Sequence, residues 1–150
     1  MNLRQSLITR LREEGYPVPA DLAEVIERVK SQFGQEVDLT TTEQLFAQTV
    51  DLLVFIPSSN GSAAEIGYFA GVDLNPDEDI ARRSLVLLDV AHEATPGFVA
   101  LGPAALLKSQ GARVWWVDYG DVGRVWDVVW GEVQAARLRK ARRDVVRPKA

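Results

Sequence analysis

Between residues 58 and 65 the sequence reads Ser58-Ser59-Asn60-Gly61-Ser62-Ala63-Ala64-Glu65, small polar residues followed by one carboxylate. A short polar turn that runs into a helix start leaves backbone N–H groups pointing outward. Those groups and the helix dipole favour a phosphate or an ionised carboxylate. Gly61, Ala63 and Ala64 leave room for a ligand to approach the backbone. Glu65 falls in the first helical turn, where its charged form is favoured. Such a group suits a nucleophile or a stabiliser of developing positive charge. The same spacing, Ser62-x-x-Glu65, is also a capping box, in which the serine caps the helix and the glutamate reaches back to its amide. Thr40-x-x-Glu43 repeats that pattern, with Thr40 as the expected cap and no chemistry expected. Spacing alone does not separate the two roles.

The elements that must position this segment follow from periodicity. Residues 3–14 place Leu3, Leu7, Ile8 and Leu11 on one helical face, and Gly15 ends the helix. Tyr16-Pro17-Val18-Pro19 is extended, because each proline pushes its predecessor out of the helical region. Asp21 starts a second helix, with Leu22, Val25, Ile26, Val29 and Phe33 on one side. A third begins near Thr40. Residues 51–56, 84–90 and 113–118 read as strands, two of them continuous apolar runs of the kind covered on both faces of a parallel sheet. Residues 62–71 form a short helix, 98–110 an irregular to helical stretch interrupted at Gly102-Pro103, and 121 to about 143 a long helix. Val122, Val125, Trp126, Val129 and Val133 of that helix face inward, and the four tryptophans read as core and subunit contact. Alternation at this spacing implies α/β architecture with a mostly parallel sheet, whose ligands sit at the carboxyl ends of the strands. Ser58–Ser62 leaves the first strand at that end.

Composition narrows the functions open to the chain. Its 150 residues suit one domain. With no cysteine there is no disulfide framework and no thiolate metal site. With a single histidine, His92, a multi-histidine centre is excluded. No apolar run reaches membrane-spanning length, and the N-terminus lacks an apolar signal core, so a cytoplasmic location is the expectation. No metal or organic cofactor is implied. Residues 1–134 carry 10 basic and 20 acidic side chains, whereas residues 135–150 carry 7 basic and one acidic. The acidic body repels nucleic acid. The basic end, Arg137 to Lys149, can touch phosphate, anionic lipid or an acidic partner, or can simply be a solvated helix end.

The stretch DLLVFIPSSNGSAAEIGYFAG, from Asp51, resembles the signature of the nucleoside 2-deoxyribosyltransferase-like superfamily. There a hydrophobic strand opened by aspartate leads to a serine/glycine loop and an E-[IL]-G-[YF] helix. It is closest to N-glycosidase-like effectors associated with bacterial retrons. Their later strand has its counterpart in Ser84–Val90, and their serine-phenylalanine and glycine-proline pairs in Gly97-Phe98 and Gly102-Pro103. Thr42 to Ala47 resembles their helix before the aspartate, and the likeness spans roughly residues 15–118. It departs at Pro57, where those effectors often carry an acidic residue, and at the start, which is the helix that follows their first strand. The implied fold is Rossmann-like, doubly wound and mostly parallel, without that usual first strand.

The resemblance implies cleavage of an N-glycosidic bond in a nucleoside or nucleotide. Glu65 takes the nucleophile's place, and Ser58, Ser59, Asn60, Gly61 and Ser62 lie around sugar or phosphate. It also implies a homo-oligomer, since neighbouring subunits complete such sites. A reverse transcriptase or retron nucleic-acid complex is a further implied partner, reached through the basic tail. A departing base needs a proton, and Asp51, Asp89 and His92 are the candidates, none singled out. Two other readings stand beside the enzyme: a nucleotide-binding sensor that does not need the Glu65 carboxylate, and an interaction module that docks through its tryptophan-rich last helix.

Overall fold

A computed structural model describes residues 2–19, 21–35, 38–57, 80–97 and 99–146. The chain divides into two compact units, residues 1–50 and 51–150.

The first unit is helical: α1 (Leu3–Glu13), α2 (Leu22–Phe33) and α3 (Leu39–Thr49). Asn2 caps α1, its Oδ1 accepting from the Gln5 N–H at 2.9 Å, and Asp21 caps α2 in the same way from Glu24 at 2.9 Å. Gly34 ends α2 with φ 77°, a left-handed conformation that favours glycine. Two arginines clamp the extended proline link. Arg12 donates to the Val18 carbonyl at 2.9 Å and pairs with Glu24 at 3.3 Å. Arg28 donates to the Pro17 carbonyl. α2 and α3 pack on one another.

The cap of α3 departs from the sequence reading. Asp38, not Thr40, is the N-cap; its Oδ2 accepts from the Thr41 N–H at 3.0 Å and its Oδ1 from the Thr41 hydroxyl at 2.6 Å. Thr40 already lies inside the helix. A carboxylate two residues earlier satisfies the free amide and also meets the positive end of the helix dipole, so it outcompetes the hydroxyl.

The second unit holds a three-stranded parallel sheet in the order β1 (Leu53–Phe55), β2 (Ser84–Asp89) and β3 (Arg113–Val117). Phe55 is level with Val86, and Val86 with Val114. β2 is central, and Leu85, Val86 and Leu87 are fully buried, as its unbroken apolar run requires. On one face Val86 and Leu88 join Ala81, Ala104, Leu107 and Ala112 in a core against which Phe55, Val114 and Trp116 pack. Ala104 and Leu107 come from a wide helical turn, Ala100–Ala104, that runs on into α4 (Ala105–Ser109). Gly102-Pro103 therefore does not interrupt this helix. The turn widens to the π form, which accommodates a residue without an N–H and relieves the clash of its ring with the preceding turn. Gly111 turns the chain into β3 at φ 113°, with the Arg82 side chain 3.0 Å from where a Cβ would stand.

The opposite face carries Leu85, Leu87, Arg113 and Trp115, by the strand alternation. Helix α5 (Val122–Val146) is tied to it by Arg113 Nε to Glu132 Oε2 at 2.6 Å. Val125, Trp126, Val129 and Val133 are buried along α5, and Trp126 stacks on Trp130 with centroids 5.4 Å apart. Trp115 and Trp116 fall on opposite faces, and Trp115 remains 48% exposed. The described architecture is thus a small α/β fold with a parallel sheet flanked by helices. Among the described residues no strand stands beyond β1 or β3. No helix among them is long and apolar enough to cross a membrane.

Candidate active site

Because all three strands are parallel, they share one carboxyl edge, and the segments leaving it define where a ligand can sit. β1 leaves through Ile56 and Pro57. Ser58, Ser59, Asn60, Gly61, Ser62 and Glu65 come next in sequence and lie outside the described residues. What the structure does place is the rest of the rim.

β2 ends in Asp89, half-buried, whose Oδ1 accepts from the Ala91 N–H at 3.1 Å and so turns the chain into a short 3-10 helix, Val90–His92. His92 and Glu93 are exposed on that turn. β3 ends in the sequence Asp118-Tyr119-Gly120-Asp121. Asp118 Oδ1 accepts from the Gly120 N–H at 2.8 Å, which closes the turn, and Asp121 Oδ1 accepts from the Arg124 N–H at 3.2 Å, which caps α5. The Tyr119 hydroxyl reaches back to the central strand and donates to the Leu87 carbonyl at 2.6 Å. Burial, and secondarily the charge of Asp89, push its phenol up to about 12, so it stays protonated and remains a donor at neutral pH.

The proton-donor candidates separate by position. Asp51 precedes β1 and so stands at the amino edge, where its Oδ2 meets Lys140 Nζ at 3.5 Å. Asp89 and His92 are at the carboxyl edge. Tyr119 escaped the sequence reading. A single tyrosine after a strand carries no periodic signal, and the aspartates on either side, Asp118 and Asp121, are the cue for a tight turn that the sequence reading does not use. Among the described residues no group of three or more His, Asp or Glu is gathered to hold a metal.

The two edges differ in sign. Asp89, Glu93, Asp118 and Asp121 belong to the carboxyl edge. Helix α5 begins there, reaches the start of β3 at Glu132, and continues to the amino end of β1, where Lys140 meets Asp51. Exposed Arg137 and Arg142 lie on the same stretch, and Gln134, Arg137, Leu138 and Ala141 line an open hollow there. Arg137, Lys140 and Arg142 therefore belong to the edge away from the carboxyl ends of the strands.

Comparison with known proteins bears on what the site belongs to. The family model described as STM3845 retron effector protein matches residues 1–147. The chain belongs to the STM3845 retron effector family. One curated relative of this retron effector chain is the retron Ec86 putative ribosyltransferase/DNA-binding protein of Escherichia coli. The two are 29% identical over 70 residues, which is 47% of this chain and 21% of that protein.

Proposed function

We propose that this retron effector chain cleaves N-glycosidic bonds of a nucleoside or nucleotide, as a member of the nucleoside 2-deoxyribosyltransferase-like superfamily. The observation that carries the reading is the family match together with a relative described as a putative ribosyltransferase. The parallel sheet supports it, since its first strand runs directly into the Ser58–Glu65 segment at the edge where such sheets take ligands. In this reading Ser58, Ser59, Asn60, Gly61 and Ser62 hold sugar or phosphate. Glu65 acts on the anomeric carbon. The C–N bond breaks, its electron pair leaves with the base, and the base takes up a proton. The carboxylate traps or stabilises the oxocarbenium-like centre until water or a second base attacks it. The acidic rim favours the positive charge that develops on the sugar. A single domain, a homo-oligomer and a docked retron nucleic acid or reverse transcriptase at the basic end of α5 complete the proposal.

The test is chromatographic detection of free base from a nucleotide panel, wild type against Glu65→Gln. Release by the wild type and its loss by at least roughly a hundred-fold in the variant is the expected result. Equal release by both removes Glu65 from the chemistry. No release by the folded wild type, with nucleotide binding retained, favours the nucleotide-binding module.

A further inference from the structure

Among the described residues β3 pairs with β2 on one side and with no strand on the other. An open edge offers a row of backbone donors and acceptors to another chain, and proteins normally guard it with charge, proline, a bulge or brevity. β1, at the other edge, is only three residues long. β3 lacks such a guard. Its five residues run Arg113-Val114-Trp115-Trp116-Val117, and after the first there is no charge, proline or glycine. Trp115, at its middle, is half-exposed, although Leu85 and Leu87 on the same face of the neighbouring strand are fully buried. Tryptophans of this kind are the side chains that anchor protein–protein contacts.

The charges at the ends of β3 say which partner fits. At the amino end stand Arg113 and the exposed Arg82, whose carbonyl accepts from Arg113 Nη1. At the carboxyl end Asp118 is exposed, and Asp121 follows in the same turn. The edge therefore runs from positive to negative. A second copy laid antiparallel, with the two-fold axis at Trp115, brings opposite signs together. Arg113 then lies opposite Val117 of the second copy and one residue from its Asp118, and the two Trp115 side chains meet on one face. Parallel pairing in register would instead set arginine beside arginine and aspartate beside aspartate, which is unfavourable. The antiparallel arrangement uses the same patch on both copies and closes on itself.

We propose that two copies of this chain join along β3, antiparallel about Trp115, so that the two three-stranded sheets become one continuous sheet. The contact is independent of the nucleoside chemistry. It gives a surface to the homo-oligomer proposed above.

Sedimentation equilibrium of the 150-residue chain, from about 1 to 100 μM, tests it. The expected result is a monomer–dimer equilibrium. Trp115→Lys, which sets two ammonium groups against each other across the axis, should raise the dissociation constant at least roughly ten-fold. Trp115→Thr, which keeps a strand-forming side chain, should do the same and is the second variant should the lysine fail to fold. Raising sodium chloride from about 0.01 to 0.1 M should weaken the wild-type dimer, because opposite charges are being screened. A monomer throughout, a dimer that both substitutions weaken by less than that factor, or one that salt does not weaken each overturns it. A dimer indifferent to Trp115 would leave a homo-oligomer built on another surface. The base-release comparison of wild type and Glu65→Gln reads the chemistry separately, so the two can fail independently.

Discussion

Tyr119 shows how one side chain can fasten a turn to the sheet. Its hydroxyl ties a turn to the central strand at 2.6 Å, and its ring is sheltered beside Asp89. Replacing it by phenylalanine removes the donor and leaves the Leu87 carbonyl to find water, a loss of about 1 kcal/mol in denaturant unfolding at pH 7. The pH dependence has a definite sign. The folded chain holds the phenolic proton to about pH 12, while the unfolded chain releases it near 10. The stabilisation is therefore complete below pH 10 and is lost as pH rises through 12. The wild type should lose more stability than Tyr119→Phe between pH 10 and 12, and parallel slopes would contradict the assignment. Asp38 offers a second contrast. Asp38→Ala should cost about 1 kcal/mol, whereas Thr40→Ala, inside the helix, should be neutral within about 0.5 kcal/mol in thermal unfolding. Reversal of that order would restore Thr40 as the cap.

At the scale of elements, the strands were legible because their burial leaves a mark. LVLL of β2 is unbroken and apolar, and all four residues are buried. RVWWV of β3 divides its tryptophans between faces as the two-residue period requires. Two things were not legible. A capping pattern has several registers, and the choice of Asp38 over Thr40 depends on where the preceding chain turns. Glycine-proline reads locally as a break, yet the packing of Ala104 and Leu107 against the sheet holds the helix through it. For the candidate site, sequence pointed to the loop leaving the first strand, because ligands of parallel sheets sit at the carboxyl ends of the strands. The bond from Tyr119 to the Leu87 carbonyl joins segments distant in sequence, which no local pattern encodes. The ion pair between Arg113 and Glu132 is likewise non-local. It is short and mostly shielded, at 2.6 Å, so it should contribute more than a surface pair. A double-mutant cycle with Arg113→Met and Glu132→Gln should give a coupling of about 1–2 kcal/mol by chemical unfolding. A coupling near zero would mean that α5 is held to β3 by apolar packing alone.

In the sheet-bearing unit as a whole, acidic turns gather at the carboxyl edge and basic side chains at the amino edge, with β2 between them. Five or six extended residues separate these edges by about 17–20 Å, more than twice the screening length of roughly 8 Å at physiological salt. The two fields therefore act almost independently: one favours positive charge, the other attracts anions. Replacing Arg137, Lys140 and Arg142 together by serine tests that independence. Among the described residues Lys140 pairs with Asp51 at 3.5 Å, exposed on both sides, so stability should change by less than about 1 kcal/mol. Base release from mononucleotides should stay within about two-fold of wild type. If the basic end carries a retron nucleic acid, three lost phosphate contacts should lower the salt dependence of its affinity, as a log–log slope, by roughly 2 to 3. Fluorescence anisotropy across a salt series reads this directly. An unchanged slope assigns the basic end to plain solvation, and a fall in base release without a change in slope would mean that the two edges are coupled.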